Sequence, residues 1–196
     1  NPLRVVYTIT GDEDIMATEI QTGWLTAPFK VFTFNHLLTQ LQFICVGSAE
    51  AIVKWTAVTS ITVKNVTTEL TLSLDKTTGA GLTANGVGHK SLLVKNCPVA
   101  VSVVGQATPR TGYLMLYPVA EMGTVAAAID LEVKATYGGE VKTLPVSITN
   151  IDGGVQAGQS HLITLTFAED GTIIAEAGIA VWQPGNDGSS IITPGE

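Results

Sequence analysis

Charge is the first scarcity in this chain. Asp, Glu, Lys and Arg supply 14% of the 196 residues, where an average globular domain carries about 25%. Arginine occurs only at Arg4 and Arg110, and the net charge is −7. A nucleic-acid partner calls for clustered Lys and Arg against phosphate. No basic stripe exists, so no nucleic acid is expected. Aromatic residues are 6% of the chain, with tryptophans Trp24, Trp55 and Trp182. Sugar-binding sandwiches stack planar rings on sugar rings, and nothing in the sequence brings these three together. Trp24 and Trp55 are candidates for exposure. Trp182 is expected at the packed edge of the last strand. No apolar run reaches the roughly 20 residues that span a bilayer as a helix, so no transmembrane segment is expected. Cys45 and Cys97 are too few for a disulfide framework. One bridge in an oxidising compartment and two buried thiols both stay open.

The residue types of catalysis are present but scattered. His36, His89 and His161 form no His-x-x-x-His or His-Glu-x-x-His pair, the spacing that puts two metal ligands on one helix face. His36 lies in an apolar stripe and reads as a packed, hydrogen-bonded side chain. Ser160 and His161 are adjacent, and neighbouring strand residues point to opposite faces, so they cannot act as nucleophile and base. No Gly-x-Ser-x-Gly elbow occurs. The stretch Gly79 to Gly88 lacks the Lys-Ser/Thr ending of a phosphate loop and reads as a long hairpin loop. Asp12-Glu13-Asp14 reads as a solvated turn, because a calcium site needs more oxygen ligands at regular spacing. Asn65-Val66-Thr67 fits the glycosylation acceptor pattern on a strand. The expectation is no catalytic centre, no metal and no cofactor.

What the chain has in abundance is Thr, Val and 20 glycines. Thr, Val and Ile suit a pleated, half-buried surface. Period-2 alternation recurs. Ile129-Asp130-Leu131-Glu132-Val133-Lys134 is the cleanest run, and it predicts a strand with one wet face. Leu70, Leu72 and Leu74 alternate with Thr71 and Ser73; Val99, Val101 and Val103 with Ala100 and Ser102. Ile163, Leu165 and Phe167 alternate with Thr164 and Thr166. Ile173, Ala175, Ala177, Ile179 and Val181 continue the pattern. Leu72, Leu131, Leu165 and Phe167 are expected in the core. Glu169-Asp170-Gly171 and Tyr137-Gly138-Gly139-Glu140 read as tight hairpins. Asp152-Gly153-Gly154 and Gly79-Ala80-Gly81 mark longer loops. Leu37, Leu38 and Leu41 fit a helical turn or a continued strand. Roughly eight to ten strands without intervening helices imply an all-β, antiparallel sandwich.

Several segments, taken in order, resemble one family. Phe32-Thr33-Phe34-Asn35-His36-Leu37-Leu38-Thr39-Gln40-Leu41-Gln42-Phe43 is followed by Val58-Thr59-Ser60-Ile61-Thr62-Val63 and then Leu70-Thr71-Leu72-Ser73-Leu74. Tyr7-Thr8-Ile9-Thr10 and Asp14-Ile15-Met16-Ala17-Thr18 precede them. Ala157-Gly158-Gln159-Ser160-His161 and Ile179-Ala180-Val181-Trp182 with Gly185 come after. The set resembles the fimbrillin-like (Mfa-like) proteins, subunits of type V pili in diderm anaerobes.

The resemblance implies a transthyretin-like Greek-key sandwich in an exported, cell-surface protein with a lipoprotein precursor. The chain shows no signal peptide at its start. Asn1-Pro2-Leu3-Arg4 reads as the opening of a processed or truncated product. The implied division is an N-terminal arm over residues 1–30, the remnant of a first β domain. A fimbrillin-like sandwich over 31–184 and a flexible tail over 185–196 follow. The implied function is a structural subunit of a fimbria, or a related adhesin, assembled by strand exchange. A sandwich module that binds carbohydrate or another host ligand is the alternative. Other pilin subunits are the implied partners, with host glycans or proteins as possible further ones. Val5, Tyr7 and Ile9 form an alternating face that serves as a candidate strand-exchange edge. Ile191 and Ile192 are the only apolar residues of the tail, hence the candidate donor. Arg4 is the only basic residue near the start, hence the candidate processing site.

Overall fold

In the computed structural model, residues 3–86, 88–97, 100–106 and 112–182 are described. They form fourteen strands and one short helix. β1 (Leu3–Thr8), β2 (Met16–Thr18), β3 (Phe34–His36) and β4 (Thr39–Gly47) precede α1 (Ala49–Lys54). β5 (Trp55–Thr67), β6 (Glu69–Asp75), β7 (Gly79–Ala84), β8 (His89–Leu93) and β9 (Ser102–Val103) follow. β10 (Gly112–Leu116), β11 (Thr124–Tyr137), β12 (Glu140–Asn150), β13 (Ser160–Phe167) and β14 (Ile173–Ala180) complete the order.

Alternation along these strands builds two faces. In β11, Ile129, Leu131 and Val133 are buried while Asp130 and Lys134 face water. In β13, Ile163, Leu165 and Phe167 are buried and Thr164 and Thr166 lie on the other side. β12-β11-β5-β8 make a four-stranded sheet, and β10-β4-β13-β14 a five-stranded one with β9 beside β4. Between them lies the main core, which includes Leu41, Phe43, Ile61, Val63, Leu114, Leu131 and Leu165. This is the expected β-sandwich.

A second core lies on the back of the five-stranded sheet. Met115 alternates with Leu114 and Leu116 along β10 and points away from the main core. It packs with Ile9, Ile15, Leu38, Leu70 and Leu72. The strands that carry Ile9's neighbours, Leu70 and Leu72 form a three-stranded sheet, β1-β6-β7. β1 pairs with β6 from Leu3↔Leu74 to Thr8↔Glu69. The first residues of the chain thus join strands from the stretch 69–84.

The structure departs from sequence expectations in several places. Pairing is not antiparallel throughout: β4 runs parallel to β13 and to β9. Parallel neighbours need a long crossover, and here the crossover includes β5, β11 and β12 of the opposite sheet. A helix, α1, was not expected. Ser48 caps it by accepting from the Ala51 N–H at 3.1 Å, and Glu50 and Lys54 suit the helix dipole. Six residues are too few to display a helical period. Gly79-Ala80-Gly81 is not a loop but the start of β7, zipped to β6 from Asp75↔Gly79 to Leu70↔Ala84. The turn is at residues 76–78, where Asp75 accepts from the Thr77 and Thr78 N–H groups. Leu37 and Leu38 lie between two strands, and Leu41 is in β4. Ile179 and Val181 are exposed, so the inward run of β14 ends at Ala177. Val101 is buried, whereas Val99 lies outside the described residues. Trp55 is not exposed: it is buried against Phe167 and Tyr137. Cys45 is a buried thiol of the main core, and Cys97 is a half-buried thiol packed against it.

The hairpin turns follow their glycines. Gly138 and Gly139 adopt φ of +60° and +86°, the mirror-image turn whose twist matches the flanking strands β11 and β12.

Candidate functional site

β1 ends its sheet. Its inner edge is zipped to β6, and no strand pairs with its outer edge among the described residues. An unpaired strand edge presents a row of N–H and C=O groups that another strand can join. The Val5–Tyr7–Ile9 face is graded in burial. Ile9 is buried in the second core, Tyr7 is half-buried against it, and Val5 is exposed. The opposite face carries Arg4, Val6 and Thr8, all exposed. Arg4 lies within β1, opposite Ser73. Ile191 and Ile192 lie outside the described residues.

The turn after β1 is held by its own acidic cluster. Gly11 has φ +100°, and a Cβ there would meet Leu114 Cδ1 at 2.1 Å. Only glycine lets the backbone approach β10 closely enough for the Met115 N–H to donate to Gly11 O at 2.9 Å. Asp12, Glu13 and Asp14 then diverge. Asp12 pairs with Lys95 at 2.9 Å. Glu13 accepts from the Thr10 and Gly11 N–H groups. Partial burial raises the Glu13 carboxyl, but these hydrogen bonds outweigh it and hold the group below its ordinary value. Asp14 accepts from His36 Nδ1 at 2.8 Å. Three partners in three directions do not make one coordination sphere. No cluster suited to a metal ion occurs among the described residues.

The end of the described chain returns to this region. His36 stacks on Trp182 with ring centroids 3.9 Å apart. Gln42 Nε2 donates to Val181 O at 2.8 Å and to Ser160 Oγ at 2.7 Å. Ser160 Oγ donates to Gln40 Oε1 at 3.0 Å. Gln40 and Gln42 alternate with Leu41 and Phe43 along β4. They are buried because Val181 and Trp182 pass over the back of the sheet. That covering segment leaves no local signal in β4. A buried amide network of this kind fixes geometry when satisfied. Here the Gln42 amide donors tie the C-terminal run to β4 and β13, while Gln42 Oε1 has no hydrogen-bond partner.

Ser160 and His161 point to opposite faces, as strand geometry requires. His161 is buried on β13, and its Nε2 has no hydrogen-bond partner. Burial pushes the imidazole below its ordinary value. A neutral folded histidine favours the native state above the ordinary value of about 6.5. That contribution fades as the pH falls through the lowered folded value. Thermal melts of the wild type are therefore expected to lose stability as pH drops below about 6.5. His161→Leu is expected to melt within about 1 kcal/mol of wild type at neutral pH, because the orphaned nitrogen is removed. Its acid loss is expected to be shallower. Parallel pH profiles for the two proteins would refute the assignment.

Two clefts of the described residues carry no catalytic constellation. One of ≈ 610 Å³ lies on the outer face of the four-stranded sheet, bordered by Lys64, Asp130, Glu132 and Ser147. Its polar groups are already engaged: Lys64 pairs with Glu132 at 3.1 Å and Ser147 donates to Asp130 at 2.7 Å. Another of ≈ 380 Å³ lies between β2 and the β6–β7 turn. No described helix is long and apolar enough to cross a membrane.

Comparison with known proteins agrees with the fold. No curated protein gives a significant match. A candidate cell adhesion protein from Bacteroides uniformis superposes with a TM-score of 0.61 at 18% identity. The match covers 91% of this chain and 66% of that one. A candidate cell adhesion protein from Bacteroides fragilis reaches a TM-score of 0.48 at 12% identity, covering 92% of this chain and 60% of that one. The tip fimbrial protein Mfa3 from Porphyromonas gingivalis, with a C-terminal truncation, reaches 0.43 at 12% identity, covering 83% and 60%. This chain thus spans about two thirds or less of the length of these structures. A family model described as fimbrillin-like matches residues 11–182. That span includes the main core, most of the second core and every strand but β1, and the chain belongs to the fimbrillin-like family.

Proposed function

We propose that the protein is an exported structural subunit of a cell-surface fimbria, or a closely related surface adhesin, joined to its neighbours by strand exchange. The observation that carries this reading is the open outer edge of β1 on a sheet that covers the second core. An incoming extended segment would gain a full ladder of main-chain hydrogen bonds there. Alternate side chains of that segment would lie beside Val5 and Tyr7 and add apolar contact. Membership of the fimbrillin-like family supports the same reading.

Arg4 has a place in this proposal. A cut after Arg4 would detach Leu3 and Arg4 from Leu74 and Ser73 of β6. It would shorten the outer edge of β1 by two positions, free Leu74 and Ser73 of β6 for an incoming strand, and leave Val5 to Thr8 in place. Residues 1–30 act in this reading as the arm that presents the edge, and the tail with Ile191 and Ile192 as a candidate donor. The partners are other pilin subunits.

A peptide copying residues 1–12 and one copying 183–196 test the edge directly. A peptide that adds to the native state raises its melting temperature by mass action, by about 2.7 kcal/mol of stabilisation at a hundredfold excess over Kd. The expected result is a rise with at least one peptide and none with its scrambled version. No shift with either peptide at millimolar concentration would sink strand exchange at β1. Antibody labelling of the native cell surface then separates stalk from tip. Exclusively cytoplasmic label would remove the fimbrial reading.

A further inference from the structure

Between β2 and β3 the chain forms an apolar arm without a core beneath it. Its base is firm: Met16↔His36, Ala17↔Asn35 and Thr18↔Phe34 pair antiparallel, and Ile15 and Leu38 anchor in the second core. Gln21 bridges the two sides, accepting from the Lys30 N–H at 2.9 Å and donating to Val31 O at 3.2 Å. Trp24 and Ala27 close the tip through two main-chain bonds of 3.0 and 2.9 Å. Phe29 and Phe32 touch each other, with centroids 5.8 Å apart.

Most of its large apolar side chains face water. Trp24 is 67% exposed, Val31 89% and Leu25 fully exposed, and Ile20, Phe29, Phe32 and Phe34 are exposed as well. A whole aromatic side chain buries about 150–250 Å², so the exposed parts of Trp24, Phe29, Phe32 and Phe34 amount to roughly 350–600 Å², to which Ile20, Leu25 and Val31 add. The largest apolar patch on a typical monomer is about 300–600 Å². A stable interface of standard size takes about 800 Å² from each partner. A lone two-stranded ribbon is also marginal in water. Counted over all its sides, the arm's exposed apolar surface is of the order that a dimer interface takes from one partner, and it has a reason to be covered.

Its charge pattern selects the partner. Residues 15–35 hold only Glu19 and Lys30 as charged side chains. Both are exposed, and neither enters an ion pair among the described residues. The chain as a whole carries −7, which opposes association of copies through most surfaces. The arm is locally neutral. In a two-fold interface, residue i of one copy meets j of the other and the reverse. An arrangement that sets Glu19 of each copy against Lys30 of its partner would therefore form the same ion pair twice. We infer that the arm over residues 19–34 is a self-association surface, pairing two copies of this chain arm against arm about a two-fold axis. This inference is independent of strand exchange at β1, which uses another face.

Sedimentation equilibrium across a dilution series tests it. The wild type is expected to dimerise with a Kd of about micromolar or tighter. Trp24→Ser with Leu25→Ser is expected to be monomeric with the far-ultraviolet circular dichroism of a β protein retained, because both side chains are exposed. Glu19→Lys alone and Lys30→Glu alone are each expected to weaken the dimer by about tenfold or more, through two like-charge contacts. Mixing these two variants in equal amounts is expected to restore association, since each mixed pair regains both ion pairs. A monomeric wild type at tens of micromolar would overturn the inference, whether or not the arm binds vesicles or another protein. A dimer that survives the tip variant, or charge variants that fail to rescue each other, would overturn it too. The peptide-induced melting shift expected at β1 should be the same in the tip variant, so the two proposals fail separately.

Discussion

Leu165→Asp is expected to destabilise the protein by more than about 3 kcal/mol, the cost of an unpaired buried charge or of forcing the strand out of register. Leu165 is fully buried on β13. Its ladder neighbours are Cys45 on β4 and Ala175 on β14. Among the described residues no ion pair involves a member of the main core around it. The aspartate must be buried charged, be protonated at a cost, or turn β13 outward. Turning it by one residue would bring Thr164 and Thr166 into the core and expel Ile163 and Phe167. A domain of this size has about 5–15 kcal/mol in total, so the loss is a large share. Thr166→Asp, on the other face of the same strand, is expected to cost far less. Urea melts of both variants decide the matter. A Leu165→Asp protein that melts with wild type would mean the face assignment of β13 is wrong.

Trp55→Ala is expected to cost about 3–5 kcal/mol, as for other buried tryptophans. The ring is buried where the two sheets close. Phe167 meets it edge-on with centroids 5.0 Å apart, and Tyr137 lies at 4.7 Å. Its Nε1–H donates to Ala168 O at 2.7 Å. Trp55 is also the C-cap of α1, with its N–H donating to Ala51 O. Trp55→Phe keeps most of the apolar contact and removes the indole donor. It is expected to cost about 1–2 kcal/mol, because Ala168 O loses a partner in a largely buried place. If Phe and Ala destabilise equally, the hydrogen bond and not the packing holds this corner.

Alternation is a local signal, and the strands that carried it were legible. Ile129, Leu131 and Val133 are buried as their spacing predicts, and so are Leu72, Leu165 and Phe167. The hairpin turns at Gly138-Gly139 and Asp170-Gly171 fall between β11 and β12 and between β13 and β14. The reason is physical. A strand buried on one face must repeat every two residues, and a tight turn must place glycine where φ is positive. His36 also matched its reading, because an apolar stripe leaves a polar ring to find a partner, here Asp14 and Trp182. The segment that covers Gln40 and Gln42 was not legible. Both alternate with Leu41 and Phe43, and their burial comes from Val181 and Trp182, far along the chain. β7 was missed for a similar reason. Gly79 and Ala80 have weak strand preference, and the ladder of β6 overrides it.

The candidate site follows the same division. Val5, Tyr7 and Ile9 could be recognised as one face from their spacing, but the graded burial of that face depends on β6 and the second core. The exposure of the arm at 19–34 could not be read from its residues. An apolar residue says that it is better buried, and not what will bury it.

What the amino-acid sequence by itself determined is therefore the all-β class, the inward faces of the long strands and the spacing shared with the fimbrillin-like family. These follow from propensity, period and residue type, which act over a few neighbouring positions. Only the tertiary structure decided that β4 runs parallel to β13, that Trp55 closes the main core, that β1 ends a sheet and that the arm at 19–34 stands uncovered. Each of these depends on contacts between residues distant in the chain, and no local pattern encodes which distant strand will arrive.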